Sequence, residues 1–118
     1  KSVKTDALIM SHTPHPYLED KVDMIRLNDV NTGSRVNEAM TNRARVASAA
    51  CPSCLIDTDN WPMPDKKTWL DYVRIQPELG VPSLYYLWHM DNSDEKISEE
   101  DLEVVRNCWE EYEKRLKK

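Results

Sequence analysis

The stretch Cys51-Pro52-Ser53-Cys54-Leu55-Ile56-Asp57-Thr58-Asp59-Asn60-Trp61-Pro62-Met63-Pro64 separates two helical patterns, and how it is read settles the fold class. Its prolines, with Asp, Asn and Ser between them, carry the chemistry of turns. Only Leu55-Ile56 is consecutively apolar, which is too short to read as a core strand. Taken as a loop, the segment leaves a chain whose regular structure is helical.

Toward the amino terminus, Val36, Ala39/Met40, Ala44 and Ala47 fall on one face of a helix expected over about Arg35 to Ala50. Ser34, ending the turn Asn31-Thr32-Gly33-Ser34, is its expected N-cap, and Pro52 ends it. An earlier helix is expected from about Pro16 to Leu27 on the stripe Leu18, Val22, Ile25. The prolines in Ser11-His12-Thr13-Pro14-His15-Pro16 hold the chain before it extended.

Toward the carboxyl terminus, Asp65 caps a third helix through about Ile75, burying Trp69, Leu70, Tyr72 and Val73. A short fourth helix, about Pro82 to Met90, reads as apolar almost all round, the mark of a central core element. The final helix opens on Ser98 with Asp101 three residues on, a variant of the capping box, and carries the stripe Leu102, Val105, Trp109, Tyr112, Leu116. The sequence therefore predicts an all-α fold: an extended segment over residues 1–15 and a single helical domain over residues 16–118. Four to five helices would surround Trp69, Trp88 and Trp109.

Composition narrows the function classes. The chain has 118 residues, 40% of them hydrophobic and 31% charged, and only 2 glycines. Gly33 and Gly80 stand too far apart for a glycine-rich phosphate loop. The net charge is −5; residues 1–50 carry 7 basic against 6 acidic residues, and residues 51–118 carry 9 against 15. That balance disfavours nucleic acid and anionic membranes as partners. There is no signal-peptide core and no apolar run of spanning length. Three cysteines do not make a disulfide framework and fit a reducing, intracellular compartment. The start at Lys1 fits a domain of a larger protein.

Several constellations could carry chemistry. His12-x-x-His15 and Cys51-x-x-Cys54 supply the four ligands of a tetrahedral zinc site. As a redox dithiol, the cysteine pair would sit at the wrong end of an Ala-rich helix. Asp57-x-Asp59 fits neither a calcium loop, since Trp61 and Pro62 stand where Asn and Gly belong, nor a phosphatase-type nucleophile, which needs a core strand before it. Arg43 and Arg45, beside Asn42 and Ser48, could touch phosphate. Trp61 lies in the loop between polar and proline residues, and of the consecutive Tyr85 and Tyr86 one must turn away from the core.

No catalytic set coheres, so the favoured expectation is a non-catalytic protein–protein interaction module using Trp61, Met63, Tyr85, Tyr86 and Tyr112. The alternative is a zinc-stabilised regulatory domain, able to associate with nucleic acid, built on His12, His15, Cys51 and Cys54.

Overall fold

The computed structural model describes residues 5–27 and 35–118. It overturns the all-α helical-bundle expectation: the chain is α/β, with three α-helices and a four-stranded parallel sheet among the described residues. The strands are β1 (Met10–Ser11), β2 (Met24–Arg26), β3 (Leu55–Thr58) and β4 (Val81–Pro82), adjacent in chain order. The helices are α1 (Val36–Ala50), between β2 and β3, α2 (Lys66–Leu79), between β3 and β4, and α3 (Glu99–Leu116).

Two of the expected helices are therefore something else. Pro16–Leu18 forms one 3-10 turn, in which the His15 ring accepts from the backbone of Tyr17, and the chain then runs into β2. Asp23 fixes this start: its carboxylate accepts from Ile9 N at 2.8 Å, and its own N–H donates to Ile9 O at 2.8 Å. Ile25 then pairs with Ser11 on one side and Ile56 on the other, and is 1% exposed. A buried strand between two parallel neighbours is apolar on both faces, so Ile25 satisfies a helical stripe equally well. The expected fourth helix is β4 followed by an irregular segment. Trp88 is 80% and Trp109 44% exposed, which leaves Trp69 as the tryptophan of the core.

The other three helices form where local signals place them. Asp65 accepts from Thr68 N at 2.7 Å, and Ser98 and Asp101 close a reciprocal capping box. The N-cap expected at Ser34 lies outside the described residues. α1 and α2 pack on each other and on β3, burying Met40, Ala44, Ala47, Trp69, Tyr72 and Val73. The small alanines let α1 approach closely. α3 lies along α2, tied to it by Arg115–Glu78 at 3.8 Å, while Asp101 in its first turn meets Lys66 at 3.2 Å.

Gly80 is fixed by close approach. A Cβ there would stand 2.4 Å from the carbonyl oxygen of Ile56, so only glycine lets β4 lie against β3.

Candidate ligand site at the carboxyl ends of the strands

Because all four strands are parallel, their carboxyl ends share one edge of the sheet, where open α/β sheets bind ligands. His12 follows β1, Arg26 ends β2, Asp57 and Asp59 end and follow β3, and Ser83 follows β4. The Arg26 guanidinium forms an ion pair with Asp59 and stands 3.4 Å from the His12 ring. Asp59 also accepts from Trp61 N at 3.1 Å, and its side chain is 9% exposed.

Asp57 lies next to this pair and half-buried. Burial and the neighbouring Asp59 carboxylate push its carboxyl above the usual range, against the pull of Arg26, Ser83 and His12. Beneath, the segment is locked by a polar net. Thr58 donates to Val81 O at 2.7 Å, Gln76 to Thr58 O at 2.6 Å, Ser83 to Thr58 O at 3.1 Å and Asn60 to Ser83 O at 2.7 Å. These bonds hold the ends of β3 and β4 at fixed separation, and the two carboxylates with them.

Tyr72 reaches the same place from α2. It is fully buried, and its hydroxyl has no hydrogen-bond partner among the described residues. Burial, then the negative charges of Asp59 and Asp57, hold it strongly protonated, with Arg43 acting in the opposite sense. A cavity of about 240 Å³ opens beside the cluster, lined by His12, Arg26, Leu27, Asn42, Arg43 and Val46 among others.

The residues singled out in the sequence are distributed as follows. Arg43 and Asn42 line this cavity, whereas Arg45 and Ser48 belong to a different surface with Ile75 and Glu78. The strand that an Asp-x-Asp pair needs is present: β3 begins at Leu55 and is interior to the sheet. Trp61 is half-buried, its ring tilted 38° against that of Tyr85 with centroids 5.4 Å apart, and its ring N–H donates to Asp91 at 2.7 Å. Tyr85 is exposed, while Met63 and Tyr86 are buried and support that surface from below. Tyr112 lies apart, on α3, in a groove with Trp109 and Leu116.

The four expected zinc ligands fall in two places. Cys51 and Cys54 lie together, but Cys51 Sγ faces the backbone oxygen of His15 at 3.4 Å and Cys54 Sγ that of Val22 at 3.3 Å. His12 stands with Arg26. Among the described residues no group of three or more His, Cys, Asp or Glu is placed to hold a metal ion by itself. Arg26 and Ser83 carry no local signature in the sequence, and Tyr72, expected as a buried residue of its helix, reveals its place beside the carboxylates only in the fold. Comparison with protein families, with curated proteins and with solved structures finds no match. No helix among the described residues is long and apolar enough to cross a membrane.

Proposed function

We propose that the chain binds a phosphorylated small molecule at the carboxyl ends of the strands. A divalent cation would join Asp57 and Asp59 to the phosphate. The observation that carries this reading is the meeting of the Asp57/Asp59 pair with Arg26 at the end of an interior parallel strand. Magnesium is commonly held by one or two protein carboxylates, with substrate phosphate and water completing its shell, so a pair of aspartates suffices.

Arg26 is the counter-charge of Asp59, and a cation–phosphate complex would exchange those partners. The cation takes the carboxylates, and the guanidinium turns its planar fork of donors onto phosphate oxygens. Arg43 and His12 line the same cavity and extend the anion-binding wall. A bound divalent cation would neutralise charge on the phosphate oxygens, and Arg26 would share that role. Calorimetric titration with pyrophosphate, with and without Mg²⁺, tests the reading. Binding should require the cation and weaken about tenfold or more in Asp57→Asn. Equal binding without the cation, untouched by that substitution, overturns it.

A second reading, the non-catalytic interaction module, is favoured by a groove of about 490 Å³ between α3 and β4, lined by Val81, Pro82, Trp109, Tyr112 and Leu116. Trp109→Ala and Leu116→Ala variants that leave every protein interaction of the chain intact count against it.

A further inference from the structure

The segment after β4 carries a second constellation, distinct from the carboxylate site. Tyr85, Tyr86, Trp88, His89 and Asp91 line one cavity of about 250 Å³. The rings of Tyr85 and Tyr86 stand 5.3 Å apart at 78° in an edge-to-face contact, so buried Tyr86 fixes the orientation of exposed Tyr85. Trp88 is 80% exposed, an unusual position for the largest apolar side chain.

That exposure is not a loose end of chain. Ile97 N donates to Trp88 O at 2.8 Å, Met90 N to Glu95 O at 2.7 Å, and Asn92 to Met63 O at 2.9 Å. These bonds tie down the backbone at Trp88 and just after it, so the exposed indole stands on a hydrogen-bonded stretch of chain.

Asp91 supplies the charge. One of its oxygens accepts from Trp61 Nε1 at 2.7 Å and the other from Tyr86 at 3.0 Å. Burial pushes its carboxyl up, but these two hydrogen bonds, with a backbone hydrogen bond and the neighbouring His89, outweigh it and hold the group below the usual range. Both donors are neutral, and among the described residues no Lys or Arg forms an ion pair with Asp91. Residues 83–95 contain Asp91, Asp94 and Glu95; His89 also lies among them, and Lys96 pairs with it in a β-bridge. An exposed tyrosine ring, an exposed indole and an ionised carboxylate in one cavity are what an organic cation requires.

We propose that Tyr85, Trp88 and Asp91 form a binding site for an alkylammonium cation, with the quaternary trimethylammonium group as its best-fitting form. The ring faces take up the methyl groups and the spread positive charge, and Asp91 balances that charge at the cavity wall. The same head group can come from a free quaternary amine or from a trimethylated lysine side chain.

The test is titration of the full chain at pH 8 with choline, with its neutral isostere 3,3-dimethylbutan-1-ol, and with a short peptide bearing trimethyllysine, read by tryptophan fluorescence and calorimetry. Choline should bind about tenfold or more tightly than the isostere, and Trp88→Ala should weaken choline about fivefold or more. Because Trp88 is so exposed, that variant should retain its melting temperature. Tyr85→Ala provides a second variant on an exposed ring. A peptide about tenfold tighter than choline assigns the site to a side chain, and equal affinity assigns it to the head group alone. Isostere binding as tight as choline, no binding of either cation, or affinity unchanged in both variants overturns the proposal.

Discussion

Arg26 and Asp59, 33 residues apart in the chain, meet as an ion pair at the carboxyl ends of two neighbouring parallel strands. Their side chains are 26% and 9% exposed, so the carboxylate is the more deeply buried partner. Removing the guanidinium would leave two neighbouring carboxylates without their nearest cation. Arg26→Ala should therefore lower stability by about 3 kcal/mol, as when one partner of a buried pair is lost. Urea unfolding measures it, and a loss below about 0.5 kcal/mol would place the pair among surface bridges.

Asp57 gives a prediction of opposite sign. Its carboxyl is raised in the folded chain by burial and by Asp59, so folding disfavours its ionised form. Its contribution to stability is fully present below the unfolded value and is lost as pH rises through the folded value. Asp57→Asn should then melt higher than the parent chain at pH 7, with the gap closing below about pH 4. The same variant should lose Mg²⁺-dependent pyrophosphate binding. Melting curves from pH 3 to 8, set beside titrations, check both parts.

Tyr72→Phe removes a buried hydroxyl that has no partner among the described residues. Relief of an unsatisfied group should raise stability by about 1 kcal/mol. If the hydroxyl donates to the ligand or to its cation-bound water, pyrophosphate affinity should fall in the same variant. A loss of stability without any change in binding would mean that the hydroxyl serves the fold alone.

Gly80→Ala should lower stability by about 2 kcal/mol, because the new Cβ meets the backbone of Ile56 and must push β4 away from β3. The displacement would also disturb the bond from Ser83 to Thr58 O at 3.1 Å, at the edge of the carboxylate site. Weaker pyrophosphate binding should accompany the lower melting temperature.

The three long helices were legible because their signals are local. Asp65 and Ser98 cap within three residues of themselves, and the stripe of α1 repeats every turn. The strands were not legible, since each is two to four residues long and finds its hydrogen bonds in distant parts of the chain. Ile25 matches a helical stripe and becomes a strand only because Ser11 and Ile56 flank it. Leu55-Ile56 looked too short to support Asp57-x-Asp59, yet Asp57 and Thr58 themselves extend the strand. The apolar run after Pro82 misled for a different reason. Leu87 and Trp88 face solvent, while Leu84, Tyr86 and Met90 turn inward.

The two ends of the parallel sheet are put to different uses. At the amino ends, Asp23 binds Ile9, Glu19 binds Ser53 and the Cys54 thiol meets Val22 O, so neighbouring strands are stitched to one another. At the carboxyl ends stand the side chains available for chemistry. Foundation and workshop are thus separate, and residues 12, 26, 57 and 83 can be redesigned for a new ligand while the opposite edge keeps the sheet in register. A library varied at positions 12, 26 and 83, built on the Asp57→Asn background with its expected gain in stability, offers a route to new binding specificities in so small a scaffold.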